Sequence, residues 1–402
     1  MKIAKVRLRQ VEGVMEHPDP FWEERLVRPV DIYPEFRDQP WNYPIPLGNG
    51  RYRLNPIFLE VETDDGLIGM SGPIQEASAF YIDTQLRHIL QGADPTCTEA
   101  LWDKMYRFAI HGRKGDNMMA ISAVDIALWD LKGKWLGQPV YRLLGGPTRD
   151  TIPAYASALG YSLEPDRIRE RVRSFVQRGF RSTKWFFRYG PADGKEGMRK
   201  NLEMVATVRE AAGPDVDIML DCWNSWDVPY TLKMAQLLET FEPAWLEEPV
   251  LADKPESYAQ IRAASPIPIS GAEHEYTRWG IKMLMDMGAM DIYQPDVGWA
   301  GGISEMMKIA ALASAYDVLL IPHGGPAAAT TNLLFAQTVT TCPVQEFLFK
   351  WNEVGQFFYK KPTEPVDGYM YPPEGPGIGW ELDESKIESE RELSFGIRGR
   401  VS

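Results

Sequence analysis

Three short pieces between residues 216 and 273 decide the fold: Val216-Asp217-Ile218-Met219-Leu220-Asp221, Ala244-Trp245-Leu246-Glu247, and Ile267-Pro268-Ile269-Ser270-Gly271-Ala272-Glu273. Each is an apolar, β-prone run that ends at a carboxylate, and amphipathic sequence of helical length separates it from the next. A strand–helix–strand repeat of this kind builds a parallel sheet. Working outward, the same pattern places candidate strands at 152–156, 182–187, 216–220, 244–246, 267–270, 290–293, 318–321 and 344–348. Between them apolar residues fall at helical spacing, as in Met198, Leu202, Val205, Val208 and Ala212. A doubly wound open sheet shares that alternation. However, no Gly-x-Gly-x-x-Gly follows the early strands, and evenly spaced units favour a closed α/β barrel of the TIM type.

Upstream the composition changes. Residues 1–60 are rich in Trp, Tyr, Pro and Arg, with an irregular stretch expected over 17–53. A loop of that length inside a compact unit is usually functional. Ile57-Phe58-Leu59-Glu60-Val61-Glu62-Thr63 then leads through Asp64-Asp65-Gly66 into Leu67-Ile68-Gly69, which reads as a hairpin. Helical periodicity is strongest over 118–136.

The chain has 402 residues, enough for a barrel and a second unit. Its formal net charge of −13 argues against nucleic acid, which needs a basic surface. The three cysteines, Cys97, Cys222 and Cys342, are too few and too scattered for a disulfide framework or a zinc site. No apolar signal core opens the sequence and no run of about 18 apolar residues occurs, so a cytoplasmic protein without a membrane partner is expected.

The candidate chemistry sits at the strand ends. Asp221, Glu247 and Glu273 close the third, fourth and fifth strands at even intervals, so in a barrel they point into one mouth. Either they cap the following helices, or they hold a cation that offsets their mutual repulsion. Hard oxygen ligands that leave room for water and substrate suit Mg²⁺. The sixth strand ends in Gln294-Pro295-Asp296, the seventh in Pro322-His323-Gly324, and the eighth carries Glu346. A His beside an Asp makes a base, because the carboxylate fixes the imidazole tautomer and raises its basicity. Lys184 on the second strand either points inward, to meet an enolate or a carboxylate, or snorkels outward. Glu248 and His274 adjoin ligand candidates, although strand alternation turns each away from its neighbour. Cys222 has no local partner to activate it and reads as packing.

These residues resemble the mandelate racemase subgroup of the enolase superfamily. The resemblance implies a (β/α)7β barrel at 136–354 and an N-terminal α+β capping domain at 1–135, completed by 355–402. Ala123-Val124-Asp125-Ile126-Ala127-Leu128-Trp129-Asp130, with Pro139-Val140-Tyr141 and Leu144-Gly145-Gly146, is similar to the family's linker helix. Within the subgroup the chain resembles acid-sugar dehydratases of the rhamnonate dehydratase type. The likeness rests on Lys184, Gly190-Pro191, Asp193-Gly194, Leu220-Asp221-Cys222-Trp223, Asp227-Val228, Glu273-His274 and Gln294-Pro295-Asp296-Val297-Gly298-Trp299.

By that resemblance Asp221, Glu247 and Glu273 are Mg²⁺ ligands, His323 with Asp296 is the acid–base dyad, and Glu346 lies near the enediolate oxygen. Lys184 completes the catalytic set. His274, Phe21, Trp22 and Arg37 are the expected substrate contacts. The implied reaction is dehydration of an aldonate to a 2-keto-3-deoxy acid, through the superfamily's known enediolate chemistry.

Two departures bear on this. Racemases of the subgroup carry Lys-x-Lys on the second strand, whereas Lys184-Trp185-Phe186 lacks the second Lys, which favours dehydration. The related dehydratases place a His before the capping Trp, whereas here Phe21 precedes Trp22, so the sugar need not be rhamnonate. The rival readings are an acid-sugar racemase or epimerase and a non-catalytic carbohydrate-binding barrel. The expected partners are a small sugar acid and further copies of the same chain.

Overall fold

The computed structural model describes residues 1–41 and 43–396. The barrel strands are Ile152–Ser157, Ser182–Phe186, Asp217–Asp221, Trp245–Glu247, Ile269–Gly271, Ile292–Tyr293, Leu319–Leu320 and Gln345–Leu348. All pair in parallel, and their order in the sheet is seventh to first and then eighth. The Leu320 N–H donates to the Thr341 carbonyl at 2.9 Å and the Gly324 N–H to Glu346 Oε2 at 2.9 Å, which brings the two ends of the sheet together. Every expected barrel strand is present. The sixth and seventh are shorter than their apolar runs, because a residue counts in a strand only while neighbours on the ladder pair with it.

Alternation along each strand sorts the side chains. Trp185 and Phe187 join the large core between strands and helices, whereas Tyr155, Met219, Trp245, Ile292 and Ile321 fill the lower barrel interior. Two residues further along the same inward faces stand Asp221 and Glu247. An apolar plug thus supports a charged layer at the mouth. Full burial of each such side chain contributes roughly 1.5–3 kcal/mol.

The N-terminal unit is an antiparallel sheet in the order Ile45–Gly48, Arg51–Leu54, Ile3–Glu16, Ile57–Thr63, Ile68–Ile74. The expected hairpin is there, and the expected helix runs over Asp116–Leu136. The stretch expected to be irregular over 17–53 instead contains a second hairpin, Ile45–Gly48 with Arg51–Leu54. Pro44 and Pro46 masked it, because proline is tolerated in a strand only at a sheet edge, and this one is an edge.

The C-terminal segment serves both units. Tyr369–Met370 pairs with the first barrel strand and Ser389–Glu392 with the N-terminal strand, while 397–402 lie outside the described residues. The helix Asp116–Leu136 joins the cap to the barrel helix Gly302–Ala315. Asp125 accepts from the Ser304 N–H at 2.9 Å and the Ser304 hydroxyl at 2.6 Å, and Trp129 Nε1 donates to the Ser304 hydroxyl at 2.8 Å. Among the described residues no helix is long and apolar enough to cross a membrane.

Candidate active site

Of the residues named above, Lys184, Asp221, Glu273 and His323 line the floor of one cavity of about 380 Å³ between barrel and cap, and Glu247, Glu346 and Asp296 bond to Lys184 and His323 there. Lys184 points inward. Its ammonium lies 2.6 Å from Glu247 Oε1, 2.8 Å from Glu346 Oε1 and 3.6 Å from Asp221 Oδ2. The snorkelling alternative is therefore corrected: three carboxylates inside the barrel outweigh the pull of solvent on the lysine head. Burial works against the charged amine, but the charges of Glu247 and Glu346 overcome it and hold Lys184 protonated.

His323 follows the seventh strand and is fixed by a hydrogen bond from Nδ1–H to Asp296 Oδ2 at 2.6 Å. That bond engages Nδ1, and Nε2 lies 3.4 Å from Glu273 Oε1. Burial lowers the basicity of the ring, yet the charge of Glu273 and the bond to Asp296 reverse this and raise it to about 10. Glu346 is held low: burial opposes ionisation, but Lys184 and His323 outweigh it.

The carboxylates crowd one another. Burial and the nearby charge of Glu247 push Asp221 well above the ordinary carboxylate range, and burial pushes Glu273 up to about 7. Asp221 Oδ1 accepts from the Trp223 N–H at 2.9 Å. Glu247 Oε2 accepts from Gln294 Nε2 at 3.0 Å and Trp245 Nε1 at 3.1 Å.

Among the described residues one trio presents donor atoms all within 4.8 Å of one another, and it is Glu248, Glu273 and His274. It shares only Glu273 with the set expected from sequence. The reason is local backbone: the fourth strand stops at Glu247, and Glu248 at φ +42° leaves the alternation that would have turned it away. Glu248 then accepts from His274 Nδ1 at 2.8 Å and from Asn224 Nδ2. Burial opposes its charge, but His274 outweighs that and lowers it, while His274 itself rises to about 9 against its burial.

The expected substrate contacts fare differently. Trp22 packs edge-on against Trp41 at 4.7 Å and lies 5.2 Å from Trp351, and its Nε1 donates to the Tyr43 carbonyl at 2.7 Å. Trp41, Tyr43 and Trp351 line the cavity directly, and Trp22 backs them. Phe21 is buried in the cap between His17, Trp22 and Tyr52, away from the cavity wall. Arg37 is spent on the Asp31 carbonyl at 2.9 Å and on Asp193 at 3.7 Å. His274 stands behind the wall, between Trp223 and Trp299. Sequence reading missed Trp41, Tyr43, Trp223, Trp299 and Trp351 as cavity residues. Trp223 and Trp299 stood inside the resembling motifs with no role attached, while Trp41 and Tyr43 had only the aromatic richness of residues 1–60 as a signal.

Comparison with known proteins places the chain. Residues 37–145 match the N-terminal domain of the mandelate racemase / muconate lactonizing enzyme family, and residues 167–386 match the enolase C-terminal domain-like family. The L-rhamnonate dehydratase of Saccharopolyspora erythraea is 36% identical over 399 residues, covering 95% of this chain and 97% of the relative. The solved rhamnonate dehydratase of Gibberella zeae, complexed with Mg, has a TM-score of 0.83 at 30% identity and covers 96% of each chain. A racemase from Streptomyces coelicolor with bound magnesium has a TM-score of 0.78 at 27% identity, covering 96% of this chain and 98% of its own. The chain belongs to the mandelate racemase / muconate lactonizing enzyme family of the enolase superfamily.

Proposed function

We propose that this enzyme dehydrates an aldonate to a 2-keto-3-deoxy acid. The observation that carries the reading is the dyad: His323 Nδ1 is tied to Asp296 at 2.6 Å, so Nε2 is presented to the cavity. A relative 36% identical along nearly the whole chain is an L-rhamnonate dehydratase, which supports the same class of reaction.

In this reading Asp221, Glu247 and Glu273 hold Mg²⁺. The chemistry of the donor set suits the ion, since Asp221 is buried within reach of the charges of Glu247, Glu273 and Glu248, and their oxygens are hard ligands. When bound, the ion would polarise the substrate carboxylate and make the C2 proton acidic. His323 Nε2 removes that proton, and the electron pair left at C2 delocalises into the carboxylate as an enediolate. The Lys184 ammonium offsets this charge from the cavity floor. His323 then returns its proton to the 3-hydroxyl, which leaves as water, and the resulting enol tautomerises to the keto acid. Phe186 lies two residues beyond Lys184 on the same face of the strand and has no proton to give, so protonation at C2 from the opposite side lacks a donor there.

The reading also includes the cap and barrel division at residues 135 and 136 with 355–402 completing the cap, a cytoplasmic location, and a homo-oligomer. The test is a screen of acid sugars for 2-keto acid formation in D₂O, with NMR of the residual substrate at about half conversion. Keto acid product with unaltered C2 configuration in the substrate is expected. A C2 epimer carrying deuterium would transfer the assignment to an epimerase, and no turnover of any acid sugar would leave a binding barrel.

A further inference from the structure

Lys350 follows the eighth barrel strand, in the helix Phe349–Gly355, and its side chain is wholly shielded from solvent. A buried ammonium is costly unless its donors are matched, and here the matching groups come from the cap. Lys350 Nζ donates to the Phe21 carbonyl and lies 3.0 Å from Glu23 Oε1. It also sits 5.4 Å from the ring centre of Phe21 and 4.7 Å from that of Tyr161. A second barrel loop grips the same segment: the Gly160 carbonyl accepts from the Glu23 N–H at 2.9 Å and the Glu24 N–H at 3.3 Å. Gly160 has φ +87°, and a Cβ there would meet the Trp22 ring at 2.2 Å, so only glycine lets the indole rest on the barrel. Glu23 reaches back to accept from the Ser162 N–H at 3.3 Å. The next residue after Lys350, Trp351, lines the cavity and packs on both Trp22 and Trp41.

We propose that Lys350 is a positioning residue that latches cap segment 21–23 onto the barrel mouth and so sets the Trp22, Trp41 and Trp351 wall against which the distal part of the substrate rests. It touches neither the dyad nor the strand-end carboxylates. This assignment rests on the reading of the cavity as the substrate site, and the experiment separates the two. Two variants of the full-length enzyme are compared: Lys350→Met, which removes the ammonium and keeps the stem, and Glu23→Gln, which keeps Lys350 and withdraws one partner at a partly exposed position.

Hydrogen exchange is read without substrate. In Lys350→Met, amides of segment 18–41 should exchange about tenfold faster while those of the barrel strands keep their protection. Steady-state kinetics then use whichever aldonate the screen identifies. KM should rise about tenfold while kcat changes less than about threefold, because a loosened wall costs substrate binding and leaves the proton transfers in place. Glu23→Gln should shift both readouts in the same direction by roughly threefold, and the double variant should match Lys350→Met alone, since both remove one latch. If no aldonate is turned over, the functional reading fails while the exchange data still judge the latch. Unchanged exchange over 18–41 in a folded Lys350→Met protein would overturn the proposal, as would a fall in kcat at constant KM. If Lys350→Met does not fold, Glu23→Gln decides alone: full protection and unchanged KM there would overturn it.

Discussion

The floor and the roof of the cavity are built on opposite plans. At the floor, Lys184, Asp221, Glu247 and Glu346 stand on barrel strands, and each is held by at least one charged or hydrogen-bonding neighbour. Glu273, Asp296 and His323 follow within a few residues of a strand end. At the roof, Trp22, Trp41 and Tyr43 belong to a cap segment with little regular structure, and Trp22 and Trp41 meet Trp351 of the barrel only because the two units dock. A group that must deliver a proton to one atom gains from a rigid mount, since positioning errors are costly in the transition state. A wall that only has to match a substrate's outline can be assembled from loops.

That contrast can be broken most directly at the floor. Removing divalent metal with EDTA should abolish turnover and Mg²⁺ should restore it, if Asp221, Glu247 and Glu273 hold the ion as proposed. Calorimetry of Mg²⁺ binding to Glu247→Gln and Glu248→Gln then separates the proposed ligand from its neighbour. Loss of binding in the first with retention in the second is expected, and the reverse would move the site to the Glu248, Glu273, His274 trio.

Next in size is the dyad. His323→Asn keeps the approximate shape but cannot take a proton, and general acid–base catalysis is worth about 10²–10⁴-fold. Since the proposed mechanism asks one ring for two proton transfers, the loss in kcat should lie at the top of that range with KM little changed. A loss under about tenfold would place the base elsewhere, with Lys184 the next candidate.

The roof should respond on another axis. Trp351→Ala should raise KM roughly tenfold and let in a wider set of aldonates, as removal of one apolar contact typically allows. Comparable losses in kcat would show that the wall also orients the reacting carbons, and the contrast between the two regions would then fail.

The smallest effect on catalysis is expected where the regions join. Asp125 is buried between cap and barrel, and burial raises its carboxyl from 3.8 to about 7. The fold therefore binds this proton more tightly than the unfolded chain does. Its contribution is complete below about pH 4 and is lost as the pH rises through 7, by up to ~4 kcal/mol. Denaturation of the wild type between pH 4 and 8 should show that decline, and Asp125→Asn should flatten it without altering KM at neutral pH. An unchanged slope in the variant would assign the pH dependence to other groups.

Much of the floor is legible in the sequence. The parallel barrel and the strand-end placement of Asp221, Glu247, Asp296, His323 and Glu346 follow from strand periodicity and from one βα unit after another, both properties of neighbouring residues. The inward direction of Lys184 was not decided there, because its three carboxylate partners come from other strands. Alternation turned Glu248 outward on paper, and one residue at positive φ undid that rule.

The roof was largely hidden. Phe21, which departs from the related dehydratases' His, and Arg37, which carried a family likeness, face the cap interior and the Asp193 turn, because a residue's place in a motif does not record which way a loop turns it. The sequence by itself determined the barrel, the order of its chemical groups and the absence of a second lysine at Phe186. Only the tertiary structure decided the tryptophan wall and the Lys350 latch, whose partner Phe21 lies 329 residues away in the chain. The physical reason is range: strand and helix periodicity is written in nearest neighbours, whereas a contact between two docked units exists only once both have folded and met.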